Sequence, residues 1–135
     1  VDVAAASGYR WPELYGADPR AIWLMGFSQE AAAALAVAIA RPGLVRGVAG
    51  VVGFVPASRG QSQSRRPLCG LPVFLAAGRH DPVIPLAVSR ASAVTLRGLG
   101  AELTYREYDA GHRIPSQGIR DLGAWWARQG LGRRS

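Results

Sequence analysis

The sequence predicts an α/β fold, a mostly parallel sheet flanked by helices, and two observations support this prediction. Short runs of apolar residues recur along the chain, as expected of strands that are buried on both faces of a sheet. Longer segments rich in helix-forming residues lie between them, and helices are the usual connections between parallel strands. The 135 residues, 49% hydrophobic and 19% charged, fit one folded domain over residues 1–135.

The first strand and the first helix meet at a short turn. Residues 21–25 form an apolar run, and residues 31–40 have only small or apolar side chains before Pro42 and Gly43 end the helix. The turn between them contains Ser28. A strand that turns sharply into a helix around one serine lifts the hydroxyl above the sheet. The same turn points the first amides of the helix, the positive end of its dipole, at the reacting group.

Three further strands complete the predicted sheet, over residues 48–55, 73–77 and 103–107. The last of them alternates apolar with polar side chains, as an edge strand with one solvated face does. Residues 57–70 are rich in Ser, Gly, Gln and Arg and are expected to form a loop within the same domain. Residues 1–20 are expected to hold the end of a helix and an irregular connection.

Two further helices, from 85 to 99 and from 116 to 129, are predicted to cover the sheet. Small or apolar side chains at helical spacing predict the face that each helix buries. The face predicted for the first of these helices consists of Val88, Ala91, Thr95 and Leu99. The face predicted for the second consists of Ile119, Leu122 and Trp126. The tryptophans of this helix are expected to belong to the core.

The composition excludes several kinds of partner. The net charge of +7 comes from sixteen arginines that are scattered singly, apart from residues 65–66 and 133–134, so we expect no nucleic-acid partner. No apolar run is long enough to span a membrane and no secretory signal is visible, so a cytoplasmic location is expected. The single cysteine, Cys69, excludes an internal disulfide and a cysteine-based zinc site.

Three residues capable of chemistry each follow a predicted strand: Ser28, Asp81 and His112. Sites in parallel sheets gather at the carboxyl ends of the strands, so these side chains can meet at one rim. They are 53 and 31 residues apart, enough for a strand-helix-strand return to that rim. A serine hydroxyl becomes a good nucleophile when an imidazole takes its proton, and a carboxylate holds the imidazole in place. The pattern indicates nucleophilic catalysis.

Each of these residues also has a simpler interpretation. Ser28 suits a helix N-cap, Asp81 precedes a proline as turn residues often do, and His112 lies in a glycine-rich loop. His80 adjoins Asp81, and neighbouring side chains tend to diverge, so it is the worse base. The order Ser, Asp, His with each residue at a strand end favours the catalytic interpretation. The backbone amide of Gln29 is the oxyanion donor that the sequence places.

Three motifs resemble those of one enzyme family. They are Gly26-Phe27-Ser28-Gln29, Gly78-Arg79-His80-Asp81-Pro82-Val83-Ile84-Pro85 and Gly111-His112-Arg113-Ile114-Pro115. They resemble the phospholipase/carboxylesterase family of α/β-hydrolases, which includes acyl-protein thioesterases and small bacterial esterases. The segment Tyr15–Arg20 also fits the family's pattern, so the likeness covers nearly all of the chain. The resemblance implies a partial α/β-hydrolase fold.

The resemblance also implies a reaction and roles for four residues. Ser28 would be the nucleophile, Asp81 the acid member, His112 the base and the Gln29 amide an oxyanion donor. The family cleaves carboxylic esters or thioesters of small molecules, and it uses no metal and no organic cofactor. We therefore expect no cofactor here.

Two departures from the family's pattern bear on activity. Glu30 stands where the family usually has glycine, and it either crowds the turn or points outward. The family is also longer at its N-terminus, which holds its first strands and a His-Gly loop with a second oxyanion donor. We therefore expect a truncated chain whose first strand is an exposed edge, open to a dimer or a complementing chain. The alternative to an active hydrolase is a degenerate, non-catalytic fragment.

Overall fold

The structure, a computed structural model, describes residues 22–56 and 66–130. The predictions for residues 1–20 and for most of the polar loop fall outside these residues. In chain order the described elements are strand β1 (Ile22–Phe27), helix α1 (Gln29–Ala40), a 3₁₀ turn (Pro42–Leu44), strand β2 (Val45–Val51), strand β3 (Pro72–Gly78), helix α2 (Leu86–Gly98), strand β4 (Glu102–Tyr108) and helix α3 (Ser116–Arg128).

The four strands form one parallel sheet in the order β1-β2-β3-β4, which confirms the predicted fold class. Within the described residues β1 and β4 are its two edges, as the sequence predicted for both strands. Because all four strands run in the same direction, their carboxyl ends lie along a single rim.

The prediction for β2 was wrong in its bounds. The strand begins at Val45 and ends at Val51, whereas the apolar run suggested residues 48–55. It ends early because Val52 has a φ of 46°, outside the extended region, although the side chain of Val52 is buried. The apolar run in the sequence therefore extends beyond Val51, the last residue of the strand.

Helices cover both faces of the sheet. Helices α1 and α2 share one core with alternate strand residues, among them Val48, Val73 and Leu75. Helix α3 packs on the opposite face, where Phe74 and Trp125 lie in a second core. The alternation of Val73, Phe74 and Leu75 between the two cores follows from the two-residue period of a strand. The result is a three-layer arrangement of helices, sheet and helix.

Helix α2 buries a different face from the predicted one. Of the four residues expected to face the sheet, Leu99 alone is buried, while Val88, Ala91 and Thr95 are exposed. The residues that α2 buries are Ser89, Ser92, Ala93 and Leu96. The Ser92 hydroxyl accepts a hydrogen bond from the Val55 amide at 2.8 Å and donates one to the Val88 carbonyl at 2.9 Å. Its polar atom is satisfied inside the protein, and a hydrophobicity pattern cannot identify such a residue as buried.

The buried face of α3 is not centred on the residues that the sequence predicted. Ile119 is 59% exposed, Leu122 and Trp126 are half-buried, and Trp125 is the buried residue at 2% exposure. The Trp125 indole packs edge-on against Trp23, with ring centroids 6.1 Å apart. The expectation that the tryptophans of this helix pack in the core is confirmed. Within the described residues, no helix is long and apolar enough to cross a membrane.

An ion-pair network holds α2 to the edge strand β4. Arg90 donates from Nε and Nη2 to the two carboxylate oxygens of Glu107, at 2.7 and 3.0 Å, and the Tyr105 hydroxyl donates to the same carboxylate at 2.8 Å. The hydrogen bonds from Arg90 are the main reason that the pKa of Glu107 falls to about 2. Glu107 therefore stays ionised far below neutral pH.

Two glycines of α3 give a matched test of its packing. A Cβ at Gly123 would meet nothing within 4 Å, whereas a Cβ at Gly118 would lie 2.5 Å from Ile114 Cγ1 and 3.1 Å from Tyr108 Cε2. We expect Gly123→Ala to raise the free energy of unfolding by up to about 1 kcal/mol, because glycine is the poorer helix former. We expect Gly118→Ala to lower it by about 1–3 kcal/mol through overpacking. Urea denaturation measures both, and a Gly118→Ala variant as stable as the wild type would contradict this packing.

Candidate active site

Ser28 occupies a strained turn between β1 and α1. Its φ of 59° and ψ of −117° lie in a region that L residues rarely adopt, at a cost of order 1–3 kcal/mol. The surrounding structure holds it there: its amide donates to the Val51 carbonyl at 2.8 Å and its carbonyl accepts from Ala32 at 3.2 Å. The Ser28 side chain makes no capping hydrogen bond to α1, so the N-cap interpretation does not hold.

Two glycines allow α1 to begin so close to the sheet. A Cβ at Gly26 would overlap the backbone carbonyl of Glu30, and a Cβ at Gly53 would overlap the Cβ of Ala31. The first turn of α1 therefore packs directly on the end of β1. Glu30 is itself exposed, so of the two alternatives for this residue the outward one holds and it does not crowd the turn.

Asp81 follows β3 and is the buried carboxylate of the site, with a side chain that is 1% exposed. Its Oδ1 accepts hydrogen bonds from the backbone amides of Val83 at 2.7 Å and Ile84 at 2.9 Å. Burial alone would raise the pKa of Asp81, but the hydrogen bond with His112 and these two amides together hold it below its usual value. Asp81 therefore lies in a turn, as the simpler interpretation of this residue predicted. Its second carboxylate oxygen, Oδ2, can accept a further hydrogen bond.

His112 follows β4 and connects the other two side chains. Its Nδ1 lies 2.7 Å from Asp81 Oδ2, and its Nε2 lies 2.8 Å from Ser28 Oγ. Because an ionised carboxylate only accepts, Nδ1 carries the proton and donates it to Asp81, and Nε2 accepts from the serine hydroxyl. With a side chain 22% exposed and bonded on both sides, His112 is not a solvated loop residue. The structure brings all three predicted residues into one line of hydrogen bonds.

The remaining predicted residues lie beside this line. His80 is on the surface, where its Nε2 contacts Asp109 Oδ1 at 2.6 Å, so it diverges from Asp81 as expected. Gln29 is the first residue of α1, and the first amides of a helix have no acceptor within it. Sequence reasoning gave no role to Phe27, whose ring packs edge-on against the His112 imidazole with centroids 5.3 Å apart. The position of Phe27 directly before Ser28 was the feature of the sequence that could have identified it as part of the site.

Two cavities lie away from this line of residues. They have volumes of about 420 and 330 Å³ and are lined by residues at the amino ends of the strands, such as Trp23, Val45 and Pro72. Neither is lined by Ser28, Asp81 or His112. Across residues 22–56 and 66–130, no three His, Cys, Asp or Glu side chains are grouped so that they could hold a metal ion.

Comparison with known proteins gives a consistent assignment. Residues 11–126 match the model of the Phospholipase/Carboxylesterase family. The chain is 26% identical over 118 residues to acyl-protein thioesterase 1 of Gibberella zeae, a match that covers 84% of this chain and 50% of that protein. The carboxylesterase of Bacillus cereus superposes with a TM-score of 0.77 at 25% identity, over 87% of this chain and 54% of that one.

More distant structures agree on the fold. Acyl-protein thioesterase 2 of Zea mays superposes with a TM-score of 0.72 at 21% identity, over 94% of this chain and 63% of that one. The chain spans about half the length of the curated relative that it matches. The parallel sheet with flanking helices corresponds to part of the α/β-hydrolase fold of these structures. The matched family model covers most of the sequence, so the chain belongs to the phospholipase/carboxylesterase family.

Proposed function

We propose that the protein is a serine hydrolase that cleaves carboxylic esters or thioesters of small molecules through an acyl-enzyme. In this proposal Ser28 is the nucleophile, His112 the general base and Asp81 the carboxylate that orients it. The observation that carries the proposal is the unbroken hydrogen-bonded line, with 2.8 Å from Ser28 Oγ to His112 Nε2 and 2.7 Å from His112 Nδ1 to Asp81 Oδ2. Membership of a carboxylesterase family supports it.

The proposed reaction follows from the position of the proton on His112 Nδ1, which leaves Nε2 able to accept the hydroxyl proton of Ser28. His112 Nε2 takes the hydroxyl proton as Ser28 Oγ attacks the carbonyl carbon, and the carbonyl oxygen gains the negative charge. The imidazolium then gives the proton to the departing alcohol or thiol, which leaves an acyl group on Ser28. A water molecule deprotonated by His112 releases the acid by the same steps. Asp81 stays ionised because its pKa is lowered, so it stabilises the imidazolium throughout.

The oxyanion needs donors, and the start of α1 is the place for one of them. The Gln29 amide is the donor we propose, because the positive end of this 12-residue helix favours developing negative charge. In the family the second donor comes from a His-Gly loop in the N-terminal part of the domain. One missing donor lowers the rate by roughly a hundred- to a thousandfold. We therefore expect fast turnover only where such a loop supplies the second donor.

Covalent labelling tests the proposed roles. A fluorophosphonate probe should label the wild type and leave Ser28→Ala unlabelled, because the probe bonds to an activated serine oxygen. His112→Ala should label more slowly by about a thousandfold or more, since no other base accepts the proton. His80→Ala is the matched control, a histidine in the surface pair with Asp109, and should label at the wild-type rate. Equal labelling of the wild type and Ser28→Ala would overturn the proposal.

Glu30 decides between the proposed enzyme and the alternative, a non-catalytic hydrolase remnant. Because Glu30 is exposed and the atoms nearest to a Cβ at Gly26 are backbone atoms, we expect Glu30→Gly to change the labelling rate by less than about threefold. Hydrolysis of a short p-nitrophenyl ester is the second measurement. A large gain of activity in Glu30→Gly would show that the glutamate disables the turn. Activity that appears only after the family's N-terminal strands are added would show that the site is incomplete.

We also propose that β1 accepts a strand from a second copy of the chain or from a complementing chain. Among the described residues β1 pairs with β2 alone, and its Met25 and Phe27 side chains are 58% and 44% exposed. An apolar edge strand is a template for further pairing. Sedimentation equilibrium should show self-association that Met25→Lys weakens, while the control Val94→Lys, at an exposed position on α2, leaves it unchanged. A strictly monomeric wild type would leave a complementing chain as the partner.

A further inference from the structure

The loops that carry Asp81 and His112 are joined beyond the ends of their strands. The β3–β4 pairing ends at Gly78 opposite Tyr108. The ladder then continues into the loops, because the Arg79 amide donates to the Tyr108 carbonyl at 2.8 Å and the His80 amide donates to the Ala110 carbonyl at 3.0 Å. The segment that leads to Asp81 and the segment that leads to His112 are thus fastened together.

The two loops approach each other closely at Gly78. A Cβ at this position would overlap the carbonyl oxygen of Gly111 and stand 2.6 Å from the carbonyl oxygen of Ala110. Real Cβ atoms essentially never come within 3.0 Å of a heavy atom outside their own and the neighbouring residues. Both obstacles are backbone atoms, so no side-chain rotation can relieve the clash. The missing side chain of Gly78 is therefore what allows the residue before His112 to lie on the end of β3.

We propose that Gly78 is a positioning residue for the catalytic base, because the space left by its missing side chain fixes the distance from His112 to Ser28. This inference rests on the proposed function for its kinetic consequence, but its structural part stands on the contacts of the loop alone. Gly78, the first residue of the Gly78–Pro85 motif, thereby has a role distinct from that of Asp81.

A side chain at Gly78 would move His112 relative to Ser28. Ser28 is held by the turn between β1 and α1, outside both loops, so it would not follow. Removing the overlap requires a displacement of about 1 Å in the loop of His112, and a misplacement of that size costs about a hundredfold in rate. The surface pair of His80 and Asp109 also links the loops, but both side chains are largely exposed, so it holds them weakly.

The test compares Gly78→Ala with a glycine that has open space around it. Gly98, the last residue of α2, has nothing within 4 Å of an added Cβ, so Gly98→Ala is the control. Two readouts are used: the rate of fluorophosphonate labelling, and the low-field proton NMR signal of the His112 Nδ1–H that is bonded to Asp81. We expect Gly78→Ala to lose or shift that signal and to label about a hundredfold more slowly. Gly98→Ala should match the wild type in both.

The outcomes separate this inference from the proposed function. If the wild type is not labelled but Gly78→Ala still loses the proton signal, the positioning role stands and the proposed hydrolase fails. If Gly78→Ala keeps both the signal and the labelling rate, the positioning role is overturned. Should Gly78→Ala fail to fold, amide hydrogen exchange in the wild type decides: slow exchange at Arg79 and His80 supports the fastened loops. Exchange there at the rate of an unstructured peptide contradicts them.

Discussion

The parallel direction of four adjacent strands is the constraint on which the rest of this structure depends. Each strand ends at the same rim, so residues far apart in sequence are delivered to one place by the sheet alone. Ser28 follows β1, Asp81 follows β3 and His112 follows β4. Correct strand pairing, which the two cores on either face of the sheet stabilise, brings them to one rim, and the contacts of the loops beyond the strands set their distances.

Two features of the candidate site are energetically unfavourable, and neighbouring groups offset both of them. Ser28 holds a backbone conformation of positive φ, and Asp81 is a buried charge. The strain at Ser28 is opposed by its hydrogen bond to Val51 and by the close packing that Gly26 and Gly53 allow. The charge of Asp81 is met by two backbone amides and by the imidazole of His112. The Ser28 hydroxyl is bonded to His112 and makes no hydrogen bond to the first turn of α1, so it does not cap the helix.

The two edge strands of the described sheet differ in the side chains that cover them. At β4 the polar network of Glu107, Arg90 and Tyr105 covers part of the edge strand and fastens α2 to it. At β1 the exposed side chains Met25 and Phe27 are apolar. Natural edge strands are usually protected by charge, by a bulge or by a covering element, and this contrast is the basis of the strand addition proposed for β1. The same strand leads directly into Ser28, so the exposed edge and the candidate site are adjacent.

Local patterns in the sequence determined the element types, the parallel α/β class, the turn at Ser28 and the three residues that form the hydrogen-bonded line. The elements and the turn follow from apolar runs and from glycine and proline signals, which depend on neighbouring residues, and the three residues follow from their order at successive strand ends. Tertiary structure alone decided which faces α2 and α3 bury, because Ser92 is satisfied by Val55 and Trp125 packs against Trp23, partners far along the chain. It alone decided that Glu30 points outward and that Gly78 must lack a side chain, since both depend on backbone contacts between separate segments.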